Sequence, residues 1–226
     1  MGAVAVGGVR ADGWRIGAWA AVVTALAALG YGSRLAGGRP PEDALYRYET
    51  AIGSIVVYGF LLGIVFLIAA GLPTREVFAL RRPPSWRRAL GLAFVAYVAI
   101  FVLGGLLLVA LGATDEQGLT PKEWDASRAG AYAANFLAVA LVGPVVEELL
   151  YRGAGMSLLA RVGTPGALVV TSVAFGLGHG LVLALPTLVV FGFAVGLLRL
   201  RTDSVYPPVL VHCAFNGTSL IIAVAA

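Results

Sequence analysis

The stretch Glu147-Glu148-Leu149-Leu150-Tyr151-Arg152 sets three ionisable side chains inside one of the most apolar runs of the chain. Such groups are costly at membrane depth and occur where they line a cavity or meet a partner, so the cluster reads as a functional site. Glu148 and Arg152 stand at i and i+4, acid before base, which suits an ion pair on one helical face. Glu147 points elsewhere and keeps a carboxylate with no local cation, a group able to take a proton. The only two histidines also lie in long apolar runs. Between Val162 and Leu198, His179 is the sole Asp, Glu, Lys, Arg or His, and from Ser204 to Ala226 the same holds for His212. His212 and Asn216, again i and i+4, can aim together into one cavity.

A carboxylate, two imidazoles and an amide suffice to activate water and to stabilise a tetrahedral intermediate, which is the chemistry of amide hydrolysis. Glu147 would be the general base on a water. One histidine would hold that water or protonate the leaving amine, and Asn216 would offer its NH₂ to the oxyanion. No serine or cysteine has the company of a nucleophile, since Cys213 follows His212 directly and lies about 100° round the helix. Zinc held by Glu147, His179 and His212 is the rival chemistry, because two histidines and a glutamate form a catalytic ligand set. The HExxH spacing is lacking, and three helices would have to assemble the site.

The elements that must position these groups are membrane spans. The chain of 226 residues is 59% apolar and 12% charged, with a mean hydropathy of +0.90, outside the range of an ordinary soluble domain. Seven apolar segments near 16–33, 51–72, 89–113, 129–161, 164–180, 183–200 and 205–226 approach the length that crosses a bilayer. Their runs are continuous rather than alternating, which argues against a β-barrel. The expected fold is all-α: a polytopic helical bundle of seven, or eight, transmembrane helices around a polar intramembrane cavity, as one integral membrane domain over 1–226. A hairpin turning at Gly163-Thr164-Pro165 would put Glu147 and His179 at one level, each about 24 Å from the turn. Gly143-Pro144 should kink the fourth helix and free a carbonyl one turn earlier. Small-residue pairs, Gly192 with Gly196 and Gly176 with Gly180, should let helices approach closely.

The formal charge of +4 does not point to nucleic acid, because the basic residues sit in the loops between spans. Arg10, Arg15, Arg75, Arg81, Arg82, Arg87, Arg88, Arg161, Arg199 and Arg201 fall on one side; Arg34, Arg39, Arg47, Lys122 and Arg128 fall on the other. The positive-inside rule then puts the N-terminus in the cytoplasm of a multi-pass cell-membrane protein. Residues 1–15 read as a short disordered or interfacial lead, and the first apolar run as a retained span rather than a cleaved signal. Residues 33–50 read as a turn with a short polar helix, Trp86 as an interfacial ring, and the acids between 115 and 125 as external surface. A single cysteine excludes an intrachain disulfide.

Taken together, Glu147-Glu148-x-x-x-Arg152, Phe175-x-x-x-His179 and His212-x-x-x-Asn216 resemble the three signature motifs of the CAAX prenyl protease type II family, also called the CPBP or Abi family. The resemblance covers about 129–220, the expected catalytic core; the first three helices match in hydropathy alone. It implies an intramembrane endopeptidase with a cytoplasm-facing polar cavity. Glu147 and His179 would activate the water, His212 and Asn216 would stabilise the oxyanion, and Glu148 and Arg152 would support the site. Metal dependence is left open, with no cofactor as the first reading. The partners implied are the bilayer and a peptide or membrane-protein substrate. Fifteen Arg to one Lys favours a GC-rich prokaryote and hence a substrate other than a prenylated protein. Two rivals remain: a non-proteolytic bacteriocin-immunity or scaffold protein of the same family, and a proton-coupled transporter.

Overall fold

The computed structural model describes residues 12–38, 40–116 and 123–225, all-helical with no strand among them. Arg10, Arg39, Lys122 and most of the N-terminal lead lie outside the described residues. Long helices form where apolar residues run on without a break. They are α1 (Gly13–Leu35), α2 (Tyr48–Ala69), α3 (Trp86–Ala110), α4 (129–162), α5 (Gly163–Gly178), α6 (Leu185–Thr202) and α7 (Tyr206–Ala225). Among the described residues, six runs are long and apolar enough to cross a membrane. One of them, Ala126–Gly178, has 53 residues and doubles back at Gly163, whose φ of 80° is readily adopted only by glycine, so the expected seven helices are recovered.

The burial pattern is inverted relative to a water-soluble bundle. Glu148, Arg152 and Asn135 are fully buried, whereas Phe60, Leu67, Phe94 and Val109 are about 70% exposed. Apolar side chains on the outside match a hydrocarbon solvent, and polar groups inside must find partners in the protein. This is a multi-pass membrane protein.

The α4–α5 hairpin has the predicted register. Tyr151 meets Phe175 edge-on at 5.4 Å between ring centroids, and the Tyr151 hydroxyl lies against Gly178. Small residues close the α5/α6 contact, where a Cβ on Gly192 would fall 3.0 Å from Ser172 and one on Gly196 would fall 2.5 Å from Leu168. Gly180 serves another neighbour: it packs on Gly30 of α1. α1 is also tied in by the Trp19 indole, which donates to the Leu150 carbonyl at 2.9 Å.

Helix α4 departs from the simple proline kink expected of it. It changes winding twice, with π-helical turns at Ala138–Val142 and Leu149–Gly155 on either side of Gly143–Glu148. In a π turn residue i donates to i−5, and Pro144, having no N–H, cannot serve Val139. Asn216 of α7 fills that role, donating to the Val139 carbonyl at 2.9 Å.

At the end of the bundle opposite the chain's N-terminus, the short helix Ala44–Tyr46 is buried and held by Asn135, whose amide is within 3.0 Å of the carbonyls of Leu45 and Arg47. Glu116, read from sequence as plain external surface, has a structural task. Its carboxylate accepts from the backbone N–H groups of Val182, Leu183 and Ala184 at 2.7, 3.1 and 2.7 Å, just before α6 begins. Helix starts favour an anion in that position.

Candidate active site

Three helices bring three of the four predicted side chains to one point. The hairpin sets Glu147 opposite His179, with Nε2 of His179 4.0 Å from Oε2 of Glu147. α7 adds His212, whose Nε2 lies 3.8 Å from the same oxygen. That oxygen is buried and has no hydrogen-bond partner in the protein.

The outer nitrogens fix what the inner ones can do. Nδ1 of His179 lies 2.8 Å from the carbonyl oxygen of Phe175, one turn back on its own helix. A carbonyl only accepts, so Nδ1 carries the hydrogen and neutral His179 turns a lone pair toward Glu147. Nδ1 of His212 is 2.9 Å from Oε1 of Glu148. Arg152 donates to the same Oε1 at 3.0 Å, so this carboxylate accepts from both sides and neutral His212 also presents a lone pair. With both rings neutral, Glu147 is faced by acceptors. Gaps of 3.8 and 4.0 Å between three acceptors exceed a direct hydrogen bond and suit a shared hydrogen-bearing molecule such as water.

Glu148 and Arg152 form the predicted i, i+4 pair with both side chains at 0% exposure. Arg152 also donates to the Gly192 carbonyl at 2.9 Å and lies over the Phe175 ring at 4.6 Å from its centroid. Phe175 touches both imidazoles, with centroid distances of 4.7 Å to His179 and 5.7 Å to His212. This aromatic hub, which spacing arguments left without a role, packs the charged pair and the histidines into one unit.

A cavity of about 470 Å³ reaches the site and is lined by Glu147, His179, Tyr151, Leu26 of α1 and a stripe of α2. Asn216 does not line it. That side chain borders a second cavity of about 260 Å³ with Thr187, Leu188 and Phe215, so of the four groups expected in one pocket Glu147 and His179 line the first cavity, and His212 is buried beside Glu147. The displacement follows from the π turn, which draws the Asn216 amide to the Val139 carbonyl. Among the described residues no group of three His, Cys, Asp or Glu is arranged to hold a metal ion. With both Nδ1 atoms engaged, Nε2 is the nitrogen left for zinc, and its separations of 4.0 and 3.8 Å from the Glu147 oxygen are wider than the separation of about 3.3 Å between two ligands of one tetrahedral zinc.

The α2 stripe was not anticipated. Thr50, Ser54 and Tyr58 line the cavity at four-residue spacing, with Glu49 at the mouth. That periodicity is present in the sequence, but α2 reads there as a span without charge. The stripe runs to the start of α2, the end of the bundle opposite the N-terminus and the arginine-rich loops. The two orientation expectations, a cytoplasmic N-terminus and a cytoplasm-facing cavity, are therefore incompatible.

Neither the curated proteins nor the solved structures yield a match to the chain. A family model does, over the stretch that carries Glu147, Glu148, Arg152, His179, His212 and Asn216. Residues 129–218 of this chain match the family model described as type II CAAX prenyl endopeptidase Rce1-like.

Proposed function

We propose that the protein is an intramembrane endopeptidase that cuts a membrane-associated peptide or protein with water activated by Glu147 and His179. The observation carrying this reading is the buried Glu147 oxygen faced by Nε2 of two imidazoles. A water between them would give one hydrogen to Glu147 and another to a ring nitrogen, turning its own lone pair to the substrate carbonyl. Attack forms the C–O bond, pushes the carbonyl electrons onto oxygen and moves the water proton to Glu147. Collapse breaks the C–N bond, and the proton passes to the leaving amine.

The oxyanion needs donors. His212 can serve once the proton delivered to Glu147 passes on to its Nε2, and Glu148 behind it offsets the imidazolium charge. Asn216 has one amide hydrogen on Val139 and a second to offer, which requires a substrate that reaches past His212. No metal enters this scheme. The positive-inside reading with a cytoplasmic N-terminus is kept, so the substrate would approach from the outer face.

The test compares membrane peptides cleaved by purified wild-type protein, Glu147→Gln and His179→Ala in proteoliposomes. Each variant should fold and lose cleavage by about 10²-fold or more. Cleavage retained in Glu147→Gln overturns the mechanism, and a biological phenotype that survives both substitutions supports the immunity or scaffold reading instead.

A further inference from the structure

Among the α2 residues on the cavity wall, Tyr58 lies outside the family segment and reaches the chemistry itself. It lines the same cavity as Glu147, with its hydroxyl seated against Gly143, four residues before Glu147 on α4. The seat for it is built into α4: a Cβ at Gly143 would fall 2.7 Å from both Cζ and Oη of Tyr58, so the absence of a side chain at 143 makes room for the ring tip. Gly143 opens the short α-helical stretch between the two π turns, the same stretch that carries Glu147. Gly143-Pro144, a kink by sequence, is by structure also a docking point for a side chain from another helix.

We infer that Tyr58 is a positioning residue for Glu147, donating its O–H to the carboxylate so that Oε2 stays turned toward Nε2 of His179 and His212. This rests on the hydrolase reading and extends it to a helix outside the matched segment. Apart from Tyr151, the other ionisable groups facing Glu147 are already committed or lack a hydrogen to give. On α4, Glu148 and Arg152 are tied to each other, and the Tyr151 hydroxyl is turned to Gly178 of α5. On α5 and α7 the neutral imidazoles present lone pairs, and on α2 Glu49 is an acceptor at the cavity mouth. Tyr58 contributes a neutral donor seated on the α4 stretch that carries Glu147.

The experiment uses the full-length protein in detergent as wild type, Tyr58→Phe and Gly143→Ala, with Glu147→Gln as the blank. The first readout needs no substrate: dicyclohexylcarbodiimide reacts with protonated carboxyl groups in apolar surroundings, and mass spectrometry follows its adduct on Glu147 at neutral pH. Without the Tyr58 donor the carboxylate is less stabilised, so labelling should accelerate several-fold to about tenfold in both variants. The second readout is proteolysis, where kcat should fall about 10- to 100-fold with KM within about twofold. Unchanged labelling in folded Tyr58→Phe overturns the inference, as does a kcat loss matched by an equal rise in KM. If Gly143→Ala does not fold, Tyr58→Phe decides alone. A wild type that cleaves nothing defeats the hydrolase reading while the labelling arm still judges Tyr58.

Discussion

Replacing Arg152 by Met should be among the most damaging single changes in the protein. Its guanidinium has no exposed surface, stands 3.0 Å from the equally buried Glu148 and holds the Gly192 carbonyl of α6 at 2.9 Å. At an effective dielectric constant of about 20, charges this close attract by roughly 5 kcal/mol, and removing one partner strands the other in an apolar interior. The expected loss is ~3–5 kcal/mol. Glu148 Oε2 and Arg152 Nε are already buried without partners, so the pair is imperfectly satisfied and its replacement as a unit should be mild. Glu148→Gln combined with Arg152→Met keeps an acceptor for His212 and should return to within about 1–2 kcal/mol of wild type. Equilibrium unfolding by dodecyl sulfate in mixed micelles measures Arg152→Met, Glu148→Gln and the double variant. A cost below about 1 kcal/mol for Arg152→Met, or a double variant as poor as the sum of the singles, refutes the view that buried charge pairing holds α4 to α6 and α7.

Glu116 makes stability depend on acid. Burial pushes its carboxyl up from 4.5, but the N–H groups of Ala184, Val182 and Leu183 and the nearby Arg34 outweigh that and leave it below its ordinary value. Its contribution is thus full above the ordinary value and is lost as pH falls through the lowered one. Thermal melts from pH 6 down to pH 3 should show a steeper decline for wild type than for Glu116→Gln; parallel declines would dismiss the cap. Orientation is testable by thiol labelling in intact cells on a Cys213→Ser background. A membrane-impermeant maleimide should reach Glu49→Cys from outside and Arg161→Cys only after permeabilisation. The reverse result places the cavity mouth in the cytoplasm and overturns the positive-inside assignment.

The helices and most of the site are local or periodic properties, which is why the sequence carries them. Apolar runs of span length need no tertiary information, the i, i+4 pairing of Glu148 with Arg152 is helical geometry, and equal spacing about Gly163 sets Glu147 beside His179. Less legible were groups whose partners come from distant segments. Tyr58 looks inert in an uncharged span until Gly143 makes room for it from 85 positions away. Asn216 shares a helix face with His212, yet which cavity it borders depends on the winding of α4 around a proline that has no hydrogen to give Val139.

What the sequence determined by itself is the class of solvent, the number of crossings and the identity of the polar groups, because hydrophobic length and helical period act residue by residue. Tertiary structure alone decided which nitrogen of each histidine faces Glu147, which groups share a cavity and at which end that cavity opens. Those outcomes depend on hydrogen-bond partners and close contacts between helices, and no spacing along one chain encodes them.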